Sequence, residues 1–541
     1  MSPFFKRKLN KLALSGVVIM MICPWLQLWL INHISLSQCL SRIFLALLLV
    51  ISLTITASVI KSRKLAIALQ LLVVGTYSLI CNMEFFMFYC QGESFNDSFF
   101  IHFKLYEVST GYTSYLGLGL NAAFYFATTL ALSFFPFNVL ELKRPHKLIA
   151  CSWLIFFIYM FTGDNASKNL CMKSYEVYIE PALLESKKYI ASDTLKNAGI
   201  KPGVSPEKLK AKPGKNLVFI FWESMSQAYL DERSFPGLLP NTRKLIKESL
   251  FFSEMKPTLN ANNTFSGIYS TLTGIPLFYN RTPSRYVNSK KNESKLSMSD
   301  ILHKAGYHQV FMRGASGQFA NTSIMVKKNS FDEVIARIKL SARKGKIEYN
   351  TWGVRDRYLY RFALDEFNKL AESGKPFNLT LLSLDTHGGA GFPSGHFDKY
   401  EHIPDNSMLN AVYEADYNLY NFIEGLKKSP AWKNTVVWVV ADHPVGYSLA
   451  EKYMTRELQG KMICFCLNSG EAKIIDTPAQ NIDLPATVLA SIEVEYNHQF
   501  PIGENLLDSP KSDRFKCLES PGKLKVLKQY SQAAYITGRN Q

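Results

Sequence analysis

Long runs with almost no charge fill the first 163 residues, and stretches of that length ask for a membrane rather than a soluble core. Five are expected to be helical spans, at about Leu12–Ile31, Ile43–Ile60, Leu65–Tyr89, Tyr115–Leu140 and Leu148–Thr162. Lys6, Arg7, Lys8 and Lys11 precede the first. A secretory signal would also begin that way, but its apolar core is shorter and ends at a small-residue cleavage site. Lys61, Arg63 and Lys64 join the second span to the third; Lys143, Arg144, His146 and Lys147 join the fourth to the fifth. These clusters alternate onto one face, which should be cytoplasmic. An odd number of spans then puts everything after Thr162, and the loop Gln91–Thr113, outside. Glu84, near the outer end of the third span, is an intramembrane carboxylate with either a functional or a structural role.

The remainder reads as water-soluble protein. Residues 164–215, punctuated by Pro202, Pro206 and Pro213, form a juxtamembrane linker with helices expected around Glu180–Lys187 and Ser192–Ala198. From Asn216, apolar strands alternate with amphipathic helices. Strands are expected at Leu217–Trp222, His308–Met312, Asn378–Leu384, Val436–Val440 and Met462–Leu467. Helices are expected at Leu238–Leu250, Val354–Glu372, Met408–Leu426 and Leu484–Ile492. This alternation predicts a mostly parallel sheet covered on both faces, over 216–541, with ligands at the carboxyl ends of its strands.

The net charge of +17 is spread along the chain, without an arginine-rich tract, zinc-finger spacing or stacking motif, so nucleic acid is not the partner. A basic surface suits anionic lipid head groups better. The nine cysteines form no C-x-x-C pair. Cys464 and Cys466 share one face of a strand; either could pair with Cys517, and spacing does not decide it.

Three strand ends carry residues that a metal would select. Leu217–Trp222 delivers Glu223 and Ser224; Asn378–Leu384 delivers Asp385, Thr386 and His387; Val436–Val440 leads to Asp442 and His443. In a parallel sheet these ends gather on one edge, so Glu223, Asp442 and His443 can converge. Carboxylates with one imidazole and no thiolate suit a divalent cation such as manganese or zinc. Phe265–Leu272 reads as an amphipathic helix stopped by Gly274 and Pro276, which puts Thr264 at its N-terminus, where anions are favoured. Thr264 is there either an N-cap or a nucleophile, and a hydroxyl needs coordination to act as the second near neutral pH.

Phe221-Trp222-Glu223-Ser224-Met225, Thr264-Phe265-Ser266-Gly267 with Gly274-Ile275-Pro276-Leu277, Leu384-Asp385-Thr386-His387 and Ala441-Asp442-His443 resemble the motifs of membrane-bound phosphoglycerol transferases. That group includes lipoteichoic acid synthases and the phosphoglycerol transferase of periplasmic glucans, within the alkaline-phosphatase and sulfatase superfamily. Ser330-Phe331-Asp332-Glu333 and Thr351-Trp352-Gly353-Val354-Arg355-Asp356 also fit. The resemblance covers anchor, linker and soluble part in order, and leans toward the glucan-modifying enzyme. It implies an α-helical membrane anchor followed by a sulfatase-like α/β domain. It also implies Glu223, Thr264, Asp442 and His443 as ligands of one divalent metal, manganese foremost with zinc or magnesium as alternatives. Thr264 would double as nucleophile, and His387 would contact the substrate phosphate or assist proton transfer.

One stretch departs from the pattern. Arg313-Gly314 stands where relatives carry His or Gln before the glycine, and Ala315, Ala320 and Thr322 replace the Asp, Trp and Arg of lipoteichoic acid synthases. Their glycerol-phosphate pocket is not reproduced, although Arg313 could hold a phosphate through its planar fork or serve in a salt bridge. The expected activity moves phosphoglycerol from phosphatidylglycerol, through an ester on Thr264, to a hydroxyl of an envelope glycan. The expected place is the inner membrane, with the catalytic domain in the periplasm. Alternatives are phosphoethanolamine transfer to lipopolysaccharide, or a non-catalytic membrane sensor. A sulfatase activity is disfavoured because Cys-x-Pro-x-Arg is absent.

Overall fold

The computed structural model describes residues 3–31, 34–91, 94–95, 116–137, 145–175, 179, 189–278, 296–317, 322–343, 345–446, 448–508, 510–532 and 535–537. The chain divides into two compact units, Met1–Glu180 and Pro181–Gln541. Most of the loop Gln91–Thr113, the expected helix Glu180–Lys187, and Lys143, Arg144 and Ala320 lie outside the described residues.

Among the described residues, the first unit contains five apolar helices, α1 (Pro3–Leu30), α2 (Leu36–Ala57), α3 (Arg63–Gln91), α4 (Leu116–Leu132) and α5 (Pro145–Thr162). The first three are long and apolar enough to cross a membrane by themselves. Helix α4 is shorter, and α5 bends by 56° into the short α6 (Ala166–Ser174). The apolar run of the second span was expected to begin after Arg42, but α2 starts at Leu36, under a capping box made by Ser35 and Gln38. Arg42 is therefore inside the helix, and buried. The burial is tolerable because Nε and Nη2 of Arg42 donate to the two carboxylate oxygens of Glu84, at 2.9 and 2.8 Å. Ser94 and Asn169 also donate to Glu84, and Asp164 at the α5–α6 bend lies 3.4 Å from Arg42. The faces of Trp25 and Phe88 lie 5.4 and 5.0 Å from the guanidinium.

The second unit is built on eight strands: β1 (Asn216–Trp222), β2 (Ser249–Phe252), β3 (His308–Arg313), β4 (Glu333–Ile335), β5 (Phe377–Leu382), β6 (Thr435–Ala441), β7 (Cys464–Leu467) and β8 (Lys473–Ile475). They pair in the order β8-β2-β7-β6-β1-β5-β3-β4. Only β7 runs antiparallel to its neighbours; every other pairing in the sheet is parallel. Every residue of β1, β5 and β6 is buried, so the centre of the sheet is covered on both faces, as their unbroken apolar sequence requires. The covering helices include α7 (Pro240–Lys247), α8 (Thr264–Thr273), α9 (Asp356–Glu372), α10 (Ser407–Lys427) and α11 (Leu484–Ser491).

Several expected elements are corrected. The helix expected over Leu238–Leu250 begins at Pro240 and ends at Lys247, and the chain then turns into β2. Apolar residues continue across that junction, so periodicity alone runs the two elements together. The short strands β4 and β8 at the two edges were not foreseen, and β5 stops two residues before Leu384. Cys464, Cys466 and Cys517 are buried free thiols, and no disulfide joins them.

Candidate functional site

β1 and β6 are adjacent and parallel, with Trp222 opposite Ala441, so the residues that follow them emerge side by side. Glu223, Asp442 and His443 gather there, with their ligating atoms all within 4.8 Å of one another. His443 Nε2 lies 3.3 Å from Glu223 Oε1 and 3.5 Å from Asp442 Oδ2. Backbone geometry fixes the cluster. Ser224 turns away from β1 at φ 55, a left-handed conformation uncommon for serine, and its N–H donates to Asp442 Oδ1 at 2.9 Å. The Glu223 N–H donates to Ser383 Oγ at 2.8 Å, and Thr386 Oγ1 donates to the Glu223 carbonyl at 2.6 Å.

Thr264 is the first residue of α8, and the cap is Asn263, whose side chain accepts the Ser266 N–H at 3.0 Å. The Thr264 hydroxyl is therefore not used as the cap, and stands 3.4 Å from Glu223 Oε2. Gly267 lets the helix come this close: a Cβ there would sit 1.8 Å from the Asp442 carbonyl oxygen. A glycine inside an apolar helical pattern is a sequence signal of such an approach.

The donor set fits a cation. A carbonyl oxygen can only accept, so His443 Nδ1, 2.8 Å from the Pro444 carbonyl, is protonated, and Nε2, which faces the two carboxylates, is the nitrogen that could bind a cation on giving up its proton. Asp442 Oδ2 is buried with no donor within hydrogen-bonding distance. The titration behaviour expresses the same crowding. Burial pushes the Asp442 carboxyl up to about 7, with the Glu223 charge adding to it. Burial would raise Glu223 as well, but His387 and His443 outweigh it and bring that carboxyl to about 2. Burial would lower His443, but Asp442 and Glu223 raise it to about 9, as a site does that needs positive charge.

His387 follows β5, close enough to Glu223 to stabilise its charge, with its ring 4.7 Å from that of Trp352. Arg313 ends β3 and is buried; burial lowers its guanidinium to about 10, while Glu223 and Asp442 act in the opposite sense. Both therefore face the cluster electrostatically. Ala315 bridges to Gly353, and Thr322 opens a helix. The supporting roles of Ser383 and Gly267 were not read from the sequence, since each depends on a neighbour distant in the chain.

A sulfatase-like α/β fold with carboxylates, imidazole and a helix-terminal hydroxyl at one sheet edge defines a class of enzymes acting on phosphate and sulfate esters. The profile described as Sulfatase matches residues 215–492, more than half of the chain, and the chain belongs to that family. It is 32% identical over 293 residues to phosphoglycerol transferase I of Citrobacter koseri, an alignment covering 52% of this chain and 38% of that protein. It is also 32% identical over 258 residues to phosphoglycerol transferase I of Escherichia coli O127:H6, covering 47% and 34%. The chain thus spans well under half the length of these relatives. Among solved structures, the lipooligosaccharide phosphoethanolamine transferase A of Neisseria meningitidis, an integral membrane protein, superposes with a TM-score of 0.51. That likeness covers 90% of this chain and 95% of the other at 14% identity, and is a likeness of fold.

Proposed function

We propose that this membrane protein transfers phosphoglycerol from phosphatidylglycerol to a hydroxyl of an envelope glycan, such as a periplasmic glucan, through an ester on Thr264. The observation that carries the reading is the uncapped Thr264 hydroxyl, held at a helix N-terminus beside Glu223. The relatives named phosphoglycerol transferase I support the choice of head group.

In the first step, Thr264 Oγ1 attacks the phosphorus as its proton passes through His387 to the diacylglycerol oxygen, whose bond to phosphorus breaks. In the second, the acceptor hydroxyl attacks the same phosphorus as its proton passes through His387 to Thr264 Oγ1, whose bond to phosphorus breaks. Arg313 and the N-terminal N–H groups of α8 favour the charge on the phosphoryl oxygens. A divalent cation, manganese in the first instance and zinc or magnesium otherwise, would be held by Glu223, Thr264, Asp442 and His443 and would supply Lewis acidity and a more acidic threonine hydroxyl. On this reading residues 1–163 anchor the chain in the inner membrane, 164–215 link, and 216–541 work in the periplasm, with the basic clusters on the cytoplasmic side.

The test withholds the acceptor. Purified protein is incubated with phosphatidylglycerol or phosphatidylethanolamine, and the Thr264 peptide is analysed by mass. Phosphoglycerol on Thr264 is expected from the first lipid. Phosphoethanolamine instead would overturn the donor and leave the threonine chemistry standing; modification at another residue would overturn the nucleophile.

A further inference from the structure

We propose that Asp356 is a positioning residue of the transfer reaction, locking the turn that carries His387 against the loop that carries Trp352 through a two-way clasp with Asp385. The inference rests on the role given to His387 above. Asp356 is the first residue of α9, yet both of its oxygens are directed at β5's following turn rather than at its own helix. Oδ1 accepts the Leu384 N–H at 2.7 Å, and Oδ2 accepts the Asp385 N–H at 2.9 Å. Asp385 answers in kind: its Oδ2 accepts the Asp356 N–H at 2.9 Å, and its Oδ1 accepts from Asn350 Nδ2 at 2.8 Å.

Asn350 carries the lock onward. Its Oδ1 accepts the N–H groups of Trp352 and Gly353, at 2.8 and 2.9 Å, which shapes the loop presenting the indole to His387. On the other side, the Asp385 carbonyl accepts the Phe392 N–H at 2.7 Å, and Arg355 donates to the Phe392 carbonyl at the same distance. The turn is thus held at both ends, with His387 and Thr386 between them. Thr386 in turn holds the Glu223 backbone. Both carboxylates are buried and satisfied by fixed donors, and neither belongs to the cation cluster, so their chemistry is spent on geometry.

Asp356→Asn keeps the shape but turns one accepting oxygen into an amide donor facing a backbone N–H. The full-length protein, purified and assayed in phosphatidylglycerol proteoliposomes, is expected to lose about a hundredfold in kcat, with KM for the lipid and bound metal within about threefold of wild type. A merely structural role would lower the yield or melting temperature and leave kcat of the folded protein unchanged. In a His387→Gln background, Asp356→Asn is expected to cost about twofold or less, because the residue it positions is already gone. Asn350→Ala, at a half-buried position, is the second variant and should lose about tenfold in kcat; it decides the matter if Asp356→Asn does not fold. Wild-type kcat in the folded Asp356 variant, or full multiplicative loss in the double variant, overturns the clasp alone. A wild-type rate for His387→Gln overturns the role of His387 and the proposal with it.

Discussion

Glu84 and Asp442 are both fully buried carboxylates, each with a cationic side chain within reach, yet their surroundings differ in one respect. Glu84 receives two donors from Arg42, one from Asn169 and one from Ser94, so its charge is matched where it lies. Asp442 receives backbone donors on Oδ1 from Ser224 and His443, while Oδ2, toward Glu223 and His443 Nε2, makes no hydrogen bond. A buried acid that the protein satisfies itself is architecture. A buried acid that it leaves wanting, beside others of the same sign, is a place kept for something that arrives from outside.

The largest effect that would break this contrast lies at Thr264. Thr264→Ala is expected to lower transfer by at least about ten-thousandfold, with less than ~1 kcal/mol of stability, since Asn263 and not Thr264 caps the helix. Initial rates and a denaturant titration on the same preparation check both halves. Turnover within tenfold of wild type would move the nucleophile elsewhere.

Arg42 tests the satisfied side. Arg42→Met leaves Glu84 buried without its partner and should cost about 3–5 kcal/mol, whereas Arg42→Met with Glu84→Leu should recover most of it. Unfolding in detergent, followed by helix signal, measures both. A mild single variant would mean that water reaches Glu84. Removing divalent cations with a chelator should lower the melting point of the wild type, by an amount equivalent to about 3 kcal/mol when restored with metal at a hundredfold excess over its dissociation constant. Asp442→Asn should show little such shift and should bind no metal by elemental analysis. Full occupancy in that variant would remove Asp442 from the ligand set. The smallest effect is expected at Thr386→Val, which removes one hydrogen bond to the Glu223 carbonyl and should cost about 1 kcal/mol by thermal unfolding.

The central strands and the residues that follow them were legible because parallel strands buried on both faces are written as unbroken apolar runs, and their ends need no further signal. Glu223, Asp442 and His443 fall together for that reason, whereas Thr264 was read from the stop signals of its own helix. β2, β4 and β8 were not legible: each is three or four residues long and owes its existence to a neighbour, not to its own pattern. Arg42 misled in the opposite direction, since a lone charge ends an apolar run on paper, while the helix continues because a carboxylate from α3 meets it. The clasp of Asp356 was visible only as a letter in a motif, because an aspartate at the start of a helix ordinarily serves that helix.

Parallel pairing also sets a clock. Ser224 and its partner Asp442 are 218 residues apart, and Glu223 and Ser383 are 160 apart. At about 5–20 residues per second, the ribosome needs about 10–45 seconds to supply the second strand once the first has emerged. Until Phe377–Leu382 has been made, Asn216–Trp222, seven residues with an apolar stretch from Leu217 to Trp222, has neither of its sheet neighbours to pair with. A strand of that composition is prone to associate with any other exposed edge. A chain whose central strand waits on partners this distant stays exposed to such association longer than one of local topology.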